Sequence, residues 1–252
     1  MTTILTSDVL LVEQKGSVAW ITLNRPNKCN ALDTELNAAL RTACQSLPKD
    51  VAIVVLRGNG RHFCAGSDLK DLYQVDRREA ERVIRLEMEA CQALAALPQL
   101  TIALVHGKCY GGGAFLPLYC DLRIGRAGVE FALPEVALGW VPPYGLERLL
   151  ANTPRAFALE MLLSGRTCGE HEALEKGWIH RLMAEEAEEM SYVDALAAIP
   201  PQTLLDTCVL TSANNLQEMR EADEKALAAF LDHFDTDQAR NTVASFIEKK
   251  RR

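Results

Sequence analysis

From residue 10 the chain alternates. "LLVEQKGSVAWITLN" places apolar and polar side chains in turn around a central Gly-Ser, and this predicts a hairpin of two strands. "VAIVVLRGNG" and "LTIALVHG" are apolar runs too short for a helix, and they predict buried strands. Between them, "TELNAALRTACQSL" has helical spacing, with Asp33 as its cap and Glu35 in its first turn. "RHFCAGSDL" reads as a small-residue loop with a short strand at its start. Residues 69–97 read as one helix, with apolar residues at Leu69, Leu72, Val83, Leu86, Cys91, Leu94 and Leu97. Its pattern blurs over "DRREAE", which predicts a mobile, solvated segment.

Beyond residue 120, "DLRIGRAGVEFALPEV" predicts two short strands around Gly125–Gly128. "RAFALEMLLSG" and "CGEHEALEKG" predict helices ended by Gly165 and Gly177, and "WIHRLM" predicts a strand. From Pro201 the pattern is helical, most clearly over Asn214–Phe234 and Arg240–Lys250. Strands crowd the first half and helices the last third, so the fold class is α/β. Pro200-Pro201 is the best break, dividing a core (1–200) from a helical C-terminal region (201–252) of the same functional unit.

Composition narrows the function. A hydrophobic share of 48% with 24% charged residues is that of a soluble chain able to bury a sizeable core. The net charge of -7 argues against nucleic acid as the main partner. No apolar run approaches the ~20 residues of a membrane span, and the first residues, with Asp8 early and no basic stretch, do not read as a signal peptide. The eight cysteines are scattered, with no CxxC pair and no histidines at metal spacing. That pattern predicts reduced thiols in a cytoplasmic protein and no metal site.

The most unusual stretch is "HGKCYGGGAFLPLYCD", three successive glycines between two apolar runs. It lacks the Lys-Ser/Thr of a P-loop and does not match a dinucleotide fingerprint. Two readings remain: close helix–strand packing, or an oxyanion hole. If the glycines open a helix, the Gly112 N–H is free to face a developing negative oxygen, with a second donor from "FCAGSDL". Pro117 removes one helical hydrogen bond and predicts a kink or a late helix start. His62 and His106 read as hydrogen-bonding loop residues and Asp68 as a helix cap.

Five segments, "ITLNRPNKCNALD", "RGNGRHFCAGSDLKDL", "HGKCYGGGAFLPLYCDLRIG", "FALPEVALGWVPPYG" and "LLSGRTCGEHEALEKGWIHRL", occur in the order seen in the enoyl-CoA hydratase/isomerase (crotonase) superfamily, which the chain resembles over nearly its whole length. The resemblance implies a crotonase-like fold of repeated ββα units, with a helical C-terminal part that mediates trimers, and hence a homotrimer or hexamer. It implies an acyl-CoA or carrier-bound acyl thioester as substrate and no cofactor besides. It places the oxyanion donors at Ser67 and Gly112 and an acid/base at Glu135. It places coenzyme A contacts around Lys28, Cys29, Ala31, Ala65, Asp68, Leu69 and Gly111; the basic tail Lys249–Arg252 reads as a solvated end, with contact to the coenzyme A phosphates as the alternative that the resemblance offers.

One position departs from the pattern. The family's hydratases use two glutamates, one two residues after the glycines and one in the Pro-Glu motif. The second is Glu135, but the first position is Phe115, which cannot carry a proton. One base beside an oxyanion hole still suits moving a proton between carbons, as family isomerases do. The alternatives are a hydroxycinnamoyl-CoA hydratase-lyase-like enzyme, whose phenol-binding tyrosine has no evident counterpart here, a polyketide-pathway dehydratase or decarboxylase, and a non-catalytic acyl-CoA binding homologue.

Overall fold

The computed structural model describes residues 2–211 and 216–250. Seven strands form the main sheet: β1 (Thr2–Thr6), β2 (Leu10–Lys15), β3 (Val18–Leu23), β4 (Ile53–Gly58), β5 (Leu100–Val105), β7 (Leu122–Arg126) and β10 (Arg181–Met183), in the order β1-β2-β3-β4-β5-β7-β10. β1, β2 and β3 are antiparallel and the rest are parallel. The predicted hairpin is β2–β3, turning at Gly16 with φ +60°. β1, which the sequence reading did not assign, adds a strand at its edge. A second sheet joins β6 (Lys108–Tyr110), β8 (Glu130–Ala132) and β9 (Thr167–Gly169) in the order β6-β8-β9.

The central strands are mostly apolar because both faces of the sheet are covered. Successive side chains point to opposite faces. Ala19, Ile21, Val54, Leu56, Ala103 and Val105 enter one core with α1 (Thr34–Gln45) and α3 (Arg77–Ala95). Val18, Trp20, Ile53, Val55, Ile102 and Leu104 enter the other, which Val193 of α8 (Glu186–Ala197) and Leu204 of α9 (Pro201–Thr211) close. Asp33 caps α1 as expected, accepting the Leu36 N–H at 2.8 Å.

The helix expected over 69–97 is two helices. α2 (Leu69–Leu72) stops because Gln74 takes φ +63°, a left-handed turn, and Asp76 then caps α3 through the Glu79 N–H at 2.8 Å. "DRREAE" is therefore cap and first turns of α3, in place of a mobile segment. The stripe is also displaced: Leu86 is half-buried, while Glu87 beside it is fully buried. The strand expected at the start of "RHFCAGSDL" is only a bridge, Cys64 to Cys109. The strand of "WIHRLM" is confined to β10. After α5 (Leu146–Asn152), helices α6 (Arg155–Ser164) and α7 (Glu170–Glu175) stop at or just before Gly165 and Gly177, both at positive φ. The helix expected from Asn214 is described from Leu216, as α10 (Leu216–Phe234), and α11 (Asp237–Lys250) follows.

Asp223 fastens α10 to the core. Buried, it accepts the Gly145 N–H at 3.0 Å, the Gln92 amide at 3.0 Å and the Tyr119 hydroxyl at 3.3 Å. Phe230 and Phe234 then pack on Trp140, with centroids 5.5 and 5.8 Å away. The C-terminal helices thus close one end of the pocket described next. No helix among the described residues is long and apolar enough to cross a membrane.

Candidate active site

Each of the three glycines is required by a different neighbour. A Cβ on Gly113 would stand 2.2 Å from the Cys64 carbonyl, so this glycine allows the two loops to pack. A Cβ on Gly111, at φ +53°, would stand 3.0 Å from Oε1 of Glu135. A Cβ on Gly112 would stand 2.6 Å from the Tyr144 hydroxyl and 3.0 Å from Oε1 of Glu87. Packing and chemistry, separate readings at the level of sequence, share one turn. Gly112 opens α4 (Gly112–Phe115), whose first bonds run from Ala114 N–H and Phe115 N–H to the Gly111 carbonyl. At Leu116 the α-helix gives way to a 3-10 turn containing Pro117, so the proline ends α4 early.

The opposing loop is stitched to the segment after β3. Ala65 N–H donates to the Cys29 carbonyl at 2.9 Å, Leu32 N–H to the Gly66 carbonyl at 2.9 Å, and Asp68 N–H to the Leu32 carbonyl at 2.8 Å. These bonds flank the Ser67 amide without using it. Gly66, at φ +90°, is the point of closest approach: a Cβ there would stand 2.5 Å from the Tyr110 carbonyl and 3.3 Å from Gly112 N. This glycine lets the Ser67 loop pack against the turn that opens α4, and Ser67 and Gly112 line one cavity.

The cavity here has a volume of about 100 Å³. Ala65, Ser67, Leu69, Gly111, Gly112 and Glu135 all line it, along with Tyr110, Phe115, Trp140, Tyr144, Phe230 and Phe246. Lys28, Cys29, Ala31 and Asp68 do not line it; they form the adjoining loop. Arg25 holds that loop, bridging Asp33 at 2.8 Å and Asp68 at 3.2 Å, while Asp68 also caps α2 through the Lys70 N–H at 3.2 Å. His62 and His106 are loop residues as expected: His106 Nε2 meets the Gly60 carbonyl at 2.9 Å, and His62 Nδ1 accepts the Lys108 N–H at 3.2 Å. The side chains of the basic tail, 249–252, lie outside the described residues.

Glu135 follows β8 and Pro134 and begins a 3-10 turn, Val136–Leu138. Its carbonyl is held by the Leu138 and Trp140 N–H groups at 3.0 and 2.9 Å, so the side chain leaves a fixed backbone. The residue is 9% exposed, and its Oε2 has no hydrogen-bond partner among the described residues. Burial pushes its pKa up to about 7, against the opposing pull of its own backbone N–H. A buried carboxyl that titrates near neutrality and keeps one oxygen free is equipped to take and return a proton.

Phe115 is buried on the far wall, its ring 6.0 Å from Tyr144 and its edge against Gly145. No carboxyl enters from that position. A different carboxyl, absent from the sequence-derived set, does approach. Glu87 of α3 is fully buried and accepts the Ser67 hydroxyl at 3.0 and 2.9 Å. The sequence held one signal for it: Glu87 shares helical spacing with Ala80, Val83, Ile84, Cys91 and Leu94, a carboxyl on an apolar stripe.

A larger depression, about 630 Å³, lies between α9 and the core, lined in part by Arg123, Asp121 and Cys120. Its main charge is committed: Arg123 donates to the Trp178 and Cys120 carbonyls and to Asn152. The smaller cavity is the one lined by Ser67, Gly112 and Glu135, whose Oε2 is unpartnered among the described residues.

Comparison with known proteins places the chain in a family. The family model for enoyl-CoA hydratase/isomerase matches residues 13–252. A Bacillus subtilis protein named as an enoyl-CoA hydratase/isomerase, YngF, is 34% identical over 194 residues, covering 75% of this chain and 74% of that protein. A peroxisomal Delta(3,5)-Delta(2,4)-dienoyl-CoA isomerase of Arabidopsis thaliana is 30% identical over 207 residues, covering 76% and 74%. Among solved structures, an enoyl-CoA hydratase/isomerase from Mycobacterium paratuberculosis superposes with a TM-score of 0.86 at 25% identity, over 95% of this chain and 98% of that one. The chain belongs to the enoyl-CoA hydratase/isomerase family and has the crotonase fold.

Proposed function

We propose that this enzyme isomerises the double bond of a short acyl-CoA, with the Ser67 and Gly112 N–H groups holding the thioester oxygen and Glu135 moving the proton. The carrying observation is the pairing of a buried Glu135, one oxygen unpartnered, with Phe115 where a second carboxyl would be needed to activate water. Removal of the C2 proton by ionised Glu135 leaves an enolate. Two aligned amides stabilise its oxygen, each contributing roughly 2.7–4 kcal/mol in comparable sites. Delivery of a proton at C4 completes a shift of the double bond into conjugation, with no further cofactor.

The acyl group is short and aliphatic on this reading. A cavity of about 100 Å³ is smaller than the ~150 Å³ that accommodates benzene. That weighs against an aromatic acyl group, although Tyr110 and Tyr144 line the walls. Assembly into trimers is part of the same proposal, supported by the exposed apolar side chains Leu163, Val209 and Leu210. Light scattering in solution tests it.

The chemistry is tested with 3-butenoyl-CoA, hydroxycinnamoyl-CoA and crotonyl-CoA offered in parallel. Isomerisation of the first without hydration of the third supports the proposal. Efficient hydration of crotonyl-CoA, or binding of all three without turnover, refutes it.

A further inference from the structure

Glu87 is a buried carboxyl that the proposed reaction does not use. It stands directly behind the two amides assigned to the oxyanion. The Ser67 hydroxyl donates to its oxygens at 3.0 and 2.9 Å, and its Oε1 lies 3.0 Å from the point where Gly112 would carry a Cβ. The Tyr144 hydroxyl is 2.6 Å from that same point. It is close enough to favour the ionised carboxyl, though without a hydrogen bond of standard geometry to it. Ser67 and Tyr144 both line the cavity, whereas Glu87 does not. A layer of hydroxyls therefore separates this carboxyl from the substrate.

Its surroundings keep it neutral. Burial pushes its pKa up to about 8, the Ser67 and Tyr144 hydroxyls pull it down, and the negative charges of Glu135 and Asp71 raise it further. The thiols of Cys64 and Cys91 also face it, and both are themselves pushed up by burial. A neutral carboxyl can donate a proton as well as accept one. An ionised one would repel an enolate on the other side of the same amides.

We propose that Glu87 is the second proton-handling group of this site: it positions the Ser67 hydroxyl and gives it a proton as that hydroxyl delivers its own to the substrate. This rests on the assignment of Glu135 as base and of Ser67 and Gly112 as oxyanion donors. The C2–H bond of the 3-enoyl thioester breaks, its proton passes to the Glu135 carboxylate, and its electron pair enters the dienolate. The Ser67 O–H bond then breaks as a C4–H bond forms, and Oγ takes the proton from Glu87. Glu135 is left neutral and Glu87 ionised, and one proton exchanged through solvent restores both. The carboxyl that Phe115 excludes from one wall is thus supplied from behind another.

Two reactions separate this role from simple packing. Exchange of the C2 hydrogens of butyryl-CoA with D2O needs only the base and the oxyanion donors. Isomerisation of 3-butenoyl-CoA needs delivery at C4 as well. In Glu87→Gln, which keeps the shape of the side chain, exchange is expected within about threefold of wild type. Isomerisation is expected to lose about 100-fold in kcat with little change in KM, within the usual range for acid–base groups. The descending limb of the wild-type kcat profile, set by a carboxyl that titrates at about 8, is expected to vanish. An unchanged kcat and pH profile in Glu87→Gln overturns the proposal, and so does a parallel fall of both reactions, the mark of a packing role. Glu135→Gln reports on the underlying assignment separately: persistence of exchange in that variant removes the base itself, whatever Glu87 does.

Discussion

Glu135 and Glu87 approach the same cavity with opposite provisions. Glu135 leaves a short turn whose backbone is held by two N–H donors, lines the cavity, and keeps Oε2 unpartnered. Glu87 leaves the middle of a long helix, stands outside the cavity lining, and has the Ser67 hydroxyl on its oxygens. Both are desolvated enough to titrate far above an ordinary glutamate, at about 7 and about 8. Burial alone therefore does not distinguish a base from a supporting acid. The distinction lies in whether an oxygen is left free to meet the substrate.

The largest expected effect comes from removing the free oxygen's chemistry. Glu135→Gln is expected to lower kcat/KM for 3-butenoyl-CoA by about 10³-fold, within the range for acid–base groups, while calorimetric affinity for butyryl-CoA stays within a factor of about two. Next is Gly112→Ala. Its Cβ would stand 2.6 Å from the Tyr144 hydroxyl and 3.0 Å from Oε1 of Glu87. The amide survives but its direction does not, and steady-state kinetics should record a fall of about 100-fold in kcat, the scale of one lost oxyanion donor.

A subtler effect reads Glu87 through stability. Glu87 holds its proton in the folded chain up to about pH 8, whereas unfolded it releases it near pH 4.3. Folding therefore binds a proton across this window, and stability falls as pH rises from about 4.5 to 8. Glu87→Gln removes that cost. Its melting temperature relative to wild type should rise by about 5 °C between pH 5 and pH 8, on the order of a few kcal/mol for a chain of this size. A difference that stays flat with pH would mean that Glu87 is ionised in the folded state. The smallest effect is expected at His62, whose ring only accepts the Lys108 N–H: His62→Ala should keep kcat within about twofold.

What was legible in the sequence followed from how local each determinant is. Ser67, Gly112 and Glu135, which line one cavity, lie in short segments whose glycines and prolines fix the backbone. The central strands were legible because two covered faces demand mostly apolar runs. The break between α2 and α3 was not, because it depends on one left-handed residue, Gln74, in a stretch that is otherwise helix-forming. Glu87 was missed for a related reason. In "RLEMEAC" three side chains in a row, Leu86, Glu87 and Met88, compete for the buried face, and ordinary hydrophobicity favours the leucine. Only the fold reveals that Ser67, twenty positions earlier, supplies the hydrogen bonds that let a carboxyl take a core position.

The central claim is that Glu135 removes a proton from the carbon next to the thioester. NMR of butyryl-CoA in D2O, incubated with wild type and with Glu135→Gln at equal saturation, measures that step without any later one. The account predicts C2 exchange by wild type, rising with pH through about 7, and a loss of about 10³-fold in the variant. Equal exchange by the two proteins would contradict it.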